Sequence, residues 1–481
     1  VYRLNKDKLQ RLPRALQPET YDRTPKPKVV HLGVGAFHRA HQAWYFDRLN
    51  HLEPEYPWLI EGASLRSKSA GEQLNPQDGL YVHVARSAAG SDVTVVQSLT
   101  QVVNAFEEPE ALTSAIARPD TQLVTLTITE KGYCQNGGND DLDLHREDVK
   151  RDLVSLEHPC TAIGSLLAGL RRRYREKGQP LTILSCDNLS HNGDVTRRAV
   201  LAMAEHHEAG LTEWIGDNVS FPNSMVDRIA PAVTAADRDE TQKLTGLEDH
   251  GLAITEQFSQ WVIENNFKGQ RPALERVGVT WVDNVDAWEL RKLRLLNAAH
   301  TALACLGSWL DIRFVHEAIS DPRLESLVDQ MWRETATTLP DTEDFNLTTY
   351  LASLKLRFGN PHLQHALVQI ATDSSQKLPQ RILAPLAERL AQRDSVTALT
   401  TVVAAWLCIQ TGQSQRGTDL GFSDPLSETL RRALNEAGDS YRTQVDAVFA
   451  VYPALGALGE DDKWREQLIA AYATCRSESH R

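Results

Sequence analysis

The stretch Val29-Val30-His31-Leu32-Gly33-Val34-Gly35-Ala36-Phe37-His38-Arg39 constrains this chain more than any other. The apolar run from Lys28 to Leu32 ends in glycines, which predicts a buried strand entering a tight turn that opens a helix. Gly33 permits the turn, and Gly35, lacking a Cβ, lets a pyrophosphate approach the backbone. The helix start then offers free N–H groups and a partial positive charge to the phosphates. Gly33, Gly35, Ala36, Phe37 and His38 are therefore candidate dinucleotide-binding residues, with His38 standing where a third glycine is usual. A bare G-x-G turn also occurs for purely structural reasons, and the strand before it is what favours the nucleotide. His38 and His41, three apart, either begin a metal site or form a satisfied cluster at the helix start. The absence of a neighbouring carboxylate or cysteine favours the second.

The surroundings fit that reading. After a lead-in arm ending in Thr24-Pro25-Lys26-Pro27, strand candidates follow at Trp58 to Ala63, Leu80 to Ala85, Val93 to Val96, Gln122 to Thr129 and Leu181 to Cys186. A helix with a basic end is predicted at Thr161 to Lys177. Strands alternating with helices argue for a mostly parallel sheet covered on both faces. Past Asp286 the helical period takes over, at Ala287 to Leu310, His362 to Ala371, Val396 to Gln410, Leu426 to Ala437 and Lys463 to Cys475.

A dinucleotide site usually carries an acid at the end of the second strand to hold the ribose hydroxyls. Here the segment reads Ser64-Leu65-Arg66-Ser67-Lys68-Ser69, and Glu61 lies earlier. Arg66 and Lys68 either receive a 2′-phosphate or are exposed loop charges, so both NAD and NADP stay open.

A second constellation is Glu289-Leu290-Arg291-Lys292-Leu293-Arg294-Leu295-Leu296-Asn297-Ala298-Ala299-His300. On an α-helix at about 100° per residue, Glu289, Lys292, Asn297 and His300 share one side over a broad arc. Oxidising an alcohol needs a base for the hydroxyl proton, which a lysine supplies when burial or a neighbour lowers its pKa. Asn297 can donate to a developing alkoxide and His300 can hold a neighbouring hydroxyl. The alternative is that Lys292 is a solvated charge on an amphipathic helix. Its place where the sheet-forming and helical regions meet favours chemistry.

Bulk properties exclude other classes. With 51 basic and 64 acidic side chains in 481 residues, the net charge is −13, which disfavours nucleic acid as a partner. No apolar run suits a bilayer span, and the charged stretch Val1 to Arg14 predicts no secretion signal. The six scattered cysteines form no CxxC pair and suggest reduced thiols in the cytoplasm.

Five motifs together resemble the polyol-specific long-chain dehydrogenase family, which includes mannitol 2-dehydrogenases and fructuronate reductases (mannonate oxidoreductases). They are Gly33 to Gln42, Thr127 to Cys134, Ser185 to Asn188, Met225 to Ile229 and Lys292 to His300. The resemblance runs from about Val29 to about Leu390. It implies an α/β Rossmann-type N-terminal domain (1–285) and a mainly α-helical C-terminal domain (286–481), with the active site in the cleft between them. It implies Lys292 as general base, Asn188 and Asn297 holding the oxyanion, and Glu130 on a proton path. Asp227 and His300 would bind substrate hydroxyls, and zinc would not be needed. The nearer alternatives are a turn cap for Asn188, a surface pair for Glu130 and an Arg228 pair for Asp227.

Within Gln369 to Arg381, Lys377 matches a family substrate contact. Gln369 stands where mannitol enzymes tend to carry Arg, and the ending Leu378-Pro379-Gln380-Arg381 looks more like the fructuronate reductase branch. Lys377 and Arg381 could clamp a carboxylate, or Arg381 is a surface charge. The expectation is an NAD(P)-dependent dehydrogenase of D-mannonate/D-fructuronate, with D-mannitol/D-fructose as the alternative. A non-catalytic dinucleotide sensor, or a protein using the turn for another nucleotide, are the competitors. The substrate is a small polyol or sugar acid, with no membrane partner, and the protein is a monomer or small homo-oligomer.

Overall fold

The computed structural model describes residues 2–136, 141–340 and 345–477. It divides into two compact units, Val1–Asp286 and Ala287–Arg481. Among the described residues, no helix is long and apolar enough to cross a membrane.

The first unit is built on six parallel strands. They are β1 (Val29–Leu32), β2 (Ile60–Ser64), β3 (Leu99–Asn104), β4 (Leu123–Leu126), β5 (Leu181–Ser185) and β6 (Val219–Ser220). Their spatial order is β3-β2-β1-β4-β5-β6. This is the doubly wound order, whose direction of winding reverses between β1 and β4. Val29 pairs with both Ile60 and Leu123, so β1 is central, and its four residues are all buried. The turn carrying Gly33 and Gly35 thus leaves the sheet at the switch point, where such sheets bind ligands.

Two expected strands belong elsewhere. Tyr81–Ser87 and Gly90–Val96 pair antiparallel with each other, and Ala253–Glu256 joins them in a separate three-stranded sheet. Only Ala88 and Ala89 separate Ser87 from its partner Gly90. A two-residue link makes a hairpin, whereas a parallel crossover needs a dozen residues or so. Conversely, β3 is an edge strand with a half-exposed face, and its mixed sequence Leu99-Thr100-Gln101-Val102-Val103-Asn104 hides it from a search for apolar runs.

Helices cover the sheet: α1 (Ala36–Ala40), α2 (Gln42–Leu52), α3 (Pro109–Ala117), α4 (Ala162–Arg175) and α5 (Asn192–Ala204). Thr161 caps α4 by accepting the Gly164 N–H. The chain breaks between α1 and α2 at His41 (φ −131°, ψ −84°), so His38 and His41 do not lie on one helix.

Among the described residues, the regular elements of the second unit are helices. At its centre α6 (Ala298–Trp309) packs against α7 (Thr397–Ile409), which in turn packs against α8 (Asp462–Ser477). Helix α7 is buried on nearly every side because its sequence is apolar all round. Among the described residues, the segments Lys292–Asn297 and Pro379–Leu383 are π-helical. The helix expected over His362 to Ala371 shrinks to Leu367–Ala371, since Gln364 takes a left-handed φ of +46°.

Candidate functional site

In the first unit a cavity of about 290 Å³ opens over the glycine turn. Gly33, Gly35, Ser64, Arg66, Phe106, Thr127 and Thr129 are among the residues that line it. Gly33 has φ +92°, and a Cβ there would lie 2.1 Å from the Thr127 carbonyl oxygen. At Gly35 the nearest atom to an added Cβ is the Gly33 oxygen at 3.8 Å, so the space above Gly35 is open to the cavity. A turn closed on one side and bare on the other suits a pyrophosphate. Phe106, 45 % exposed just past β3, was not anticipated, and no motif marks it.

The remaining expected nucleotide residues sit differently. Ala36 and Phe37 form the start of α1, and Phe37 stacks on His41 at 5.1 Å. His38 is fully buried and stacks on His31 of β1, with ring centroids 3.4 Å apart. The place of the third glycine, which normally lets helix and strand pack closely, is taken by this ring-on-ring contact. His31 meets the Thr125 and Thr127 hydroxyls at 2.8 and 2.9 Å. Burial pushes His31 down to about 3 and His38 well below its ordinary value. His41 instead reaches the Gln260 carbonyl at 3.0 Å.

Arg66 and Lys68 part company. Arg66 lines the cavity, whereas Lys68 pairs with Glu107 at 2.5 Å and does not line it. Glu61 is buried, and its carboxylate accepts from Arg118 and Gln101, each at 2.8 Å. That acid is therefore committed inside the sheet and turned to protein partners.

Glu130, Asn188 and Asp227 lie in this same unit. Glu130 opens a short 3-10 turn (Glu130–Tyr133) after β4 and is exposed. The residue before it, Thr129, holds a φ of +65°. Asn188 is exposed just past β5, and Asp227 is buried at the end of the strand Ser224–Asp227. Arg228 turns to carbonyls of Ala40 and Glu256 and lies 4.3 Å over the Trp44 ring. The Ser185 to Asn188 motif contains Asp187 and assigns it no role. The Asp187 carboxylate accepts from the Ile128 and Thr129 N–H groups at 2.9 Å and from the Tyr133 hydroxyl at 2.6 Å. Burial pushes it up to about 6.

In the second unit Lys292 and Asn297 stand at the two ends of the π segment Lys292–Asn297. Residues five apart are separated by about 140° around an α-helix. With i→i+5 bonding they come nearly one above the other, as i and i+4 do in an α-helix. The broad arc of the α-helical reading thus narrows: a half-buried lysine and a buried asparagine share a face, with His300 less than a turn further on. His300 packs 4.7 Å from Phe358 and 5.4 Å from His365. Burial holds His300 well below its ordinary value, reinforced by His365, Arg357, Arg381 and Lys292. Arg357 and His365 were not singled out by spacing, because some sixty residues separate them from His300.

Arg381 is buried and donates to the Thr301 hydroxyl at 3.3 Å and the Asn297 carbonyl at 3.5 Å. Lys377 donates to backbone carbonyls of Ile370 and Thr372, the former at 3.2 Å. Both cations therefore brace the helices around the site. Gln369 is an exposed residue of the short helix Leu367–Ala371.

Comparison with known proteins agrees with this layout. A family model described as the mannitol dehydrogenase Rossmann domain matches residues 27–276, and one described as the mannitol dehydrogenase C-terminal domain matches residues 284–475. A mannitol 2-dehydrogenase of Phaeosphaeria nodorum is 34 % identical, over 98 % of this chain and 86 % of its own length. The solved structure of Pseudomonas fluorescens mannitol 2-dehydrogenase, a ternary complex with NAD and D-mannitol, is similar with a TM-score of 0.89. It is 33 % identical and covers 99 % of this chain and 97 % of that one. A D-sorbitol dehydrogenase in substrate-free form has a TM-score of 0.87 and 31 % identity, covering 99 % of both chains.

Proposed function

We propose that this chain, which belongs to the mannitol dehydrogenase family, interconverts D-mannitol and D-fructose by hydride transfer with Lys292 as the base. Membership makes it a polyol oxidoreductase acting on a CH–OH group with a nicotinamide cofactor. The observation that carries the assignment of the base is the shared face of Lys292 and Asn297 on one π segment. In oxidation, neutral Lys292 takes the C2 hydroxyl proton. Asn297 and Asn188 donate to the oxygen as charge grows on it, and Asp227 and His300 hold neighbouring hydroxyls. Glu130 passes the proton on to solvent. A nicotinamide dinucleotide would supply the hydride acceptor, and Gly33 and Gly35 would hold its pyrophosphate, for which the space above Gly35 is open.

The mannitol pair is preferred over D-mannonate/D-fructuronate because the relatives are named mannitol 2-dehydrogenases and because Lys377 and Arg381 are engaged within the protein. One observation keeps the sugar acid as a second reading: Arg357, Arg381 and Lys292 all raise the positive potential at His300. Purified protein, D-fructose and D-fructuronate, each with NADH and NADPH, decide the matter by loss of reduced-cofactor absorbance. Turnover of fructose supports the first reading, and turnover of fructuronate alone overturns it.

For the cofactor, we propose that Arg66 receives a 2′-phosphate, so that NADPH is accepted beside NADH. Arg66→Ala is expected to raise the KM for NADPH roughly tenfold, the loss of about one charge-assisted hydrogen bond, and to leave that for NADH nearly unchanged. Equal effects on both cofactors would remove Arg66 from phosphate recognition.

A further inference from the structure

Three segments of the first unit carry Glu130, Asn188 and Asp227, and they come from distant parts of the sequence. The first follows β4, the second follows β5, and the third is the strand Ser224–Asp227. Their relative placement must be fixed to a fraction of an ångström if they are to act on one substrate. Generic packing of loop ends does not achieve this, so a specific cross-link is needed.

Asp187 and its neighbours form such a cross-link. The two carboxylate oxygens accept three hydrogen bonds from the segment on both sides of Glu130: Ile128 N–H and Thr129 N–H at 2.9 Å, and Tyr133 Oη at 2.6 Å. Thr129 is the strained residue, at φ +65°, ψ 162°. A non-glycine residue stays there only when its surroundings hold it, and the Asp187 bond to its N–H is such a hold. The Asp187 carbonyl accepts from Asn192 Nδ2 at 3.0 Å. Asn192 in turn bonds both ways to Ser224, donating to its carbonyl at 2.8 Å and accepting its N–H at 3.0 Å. Ser224 Oγ closes the circuit on the Ser185 carbonyl at 2.6 Å. Asp187, Asn192 and Ser224 are all buried, so water does not compete for these bonds.

We propose that Asp187 is a positioning residue that locks the segments bearing Glu130, Asn188 and Asp227 into one geometry. The inference rests on reading those three as the substrate-facing groups of the first unit. Asp187 is buried and is not among the residues that line the cavity over the glycine turn. It acts through the Thr129 turn on one side, through its own chain neighbour Asn188, and through Asn192 on the third.

The test uses Asp187→Asn and Tyr133→Phe in the full chain, with D-fructose and D-fructuronate each reduced by NADH. In Asp187→Asn the amide can keep two of the three bonds but turns an N–H toward a donor, which releases the turn. The expected result is a fall in kcat of roughly 10- to 100-fold that outweighs any rise in the KM for NADH, whose cavity Thr129 also lines, because a misplacement of about 1 Å can cost 100-fold. Tyr133→Phe removes the hydroxyl's bonds to the Asp187 carboxylate and to Ser185 Oγ without burying a new polar atom, and should lower kcat roughly threefold to tenfold with a modest fall in unfolding temperature. Wild-type kcat in Tyr133→Phe overturns the proposal even if Asp187→Asn does not fold. So does a rise in KM for NADH with kcat intact, which marks a general support of the nucleotide turn. Wild-type turnover in a Lys292→Ala control would instead remove the underlying reading of the site.

Discussion

Replacing Lys292 with alanine is expected to lower kcat by roughly 10²- to 10⁴-fold, the usual contribution of a positioned acid–base group. Binding of NADH should survive, because the glycine turn and its cavity belong to the first unit. The argument rests on position. Lys292 begins the π segment and is half-buried, and Asn297 and His300 lie on the same side. A solvated surface lysine could be removed at a cost near zero. Two measurements suffice: kcat for reduction of fructose, and quenching of tryptophan fluorescence by NADH, for which the ten tryptophans provide signal. Retained quenching with lost turnover supports the base. Retained turnover would return Lys292 to the role of a surface charge.

The second large effect concerns the glycines, which the structure separates. Gly33→Ala should destabilise the fold by on the order of 3 kcal/mol or more, adding a backbone clash to a left-handed φ. The added Cβ would meet the Thr127 carbonyl carbon at 2.9 Å and its oxygen at 2.1 Å, and neither can swing aside as a side chain could. The turn would open and nucleotide binding would fall with it. Gly35→Ala is the counterpart. Its φ of −102° suits any residue and its surroundings are empty. That variant should unfold at nearly the wild-type temperature yet bind NADH at least tenfold more weakly, since the methyl stands where the pyrophosphate comes close. Thermal unfolding and NADH titration of the pair check this. Equal loss of stability in both would mean that Gly35 is structural.

Much of this was legible because it is local. A strand running into Gly33-Val34-Gly35 needs only neighbouring residues to specify it, and β1 and its turn lie where the pattern puts them. The helical character after Asp286 is likewise a local periodicity. What was hidden depends on partners far away in the chain. His38 reads as a phosphate-side residue until His31 is seen stacked beneath it. For Arg381, sequence does not show that its Nη1 reaches the Asn297 carbonyl and the Thr301 hydroxyl, some eighty residues away. The pairing of Glu61 with Arg118 and Gln101 likewise depends on residues about forty and sixty positions on. Asp187 lies inside the Ser185 to Asn188 motif without a role attached to it, and its importance is visible only in the donors that converge on it.

The π winding at Lys292–Asn297 also bears on which changes of length this helix tolerates. Such a segment holds one residue more than the α-helix that would span the same rise. Deleting a single residue between Lys292 and Asn297 would let the helix close into regular α form, with its backbone bonds improved. Lys292 and Asn297 would then stand four apart, which on an α-helix again puts them on one face. What separates them is α winding at the present length, which would turn the lysine amine about 140° away from Asn297. Chains descended from this one can therefore lose one residue here and keep both groups on one side, but they cannot tighten the segment into α form without that loss.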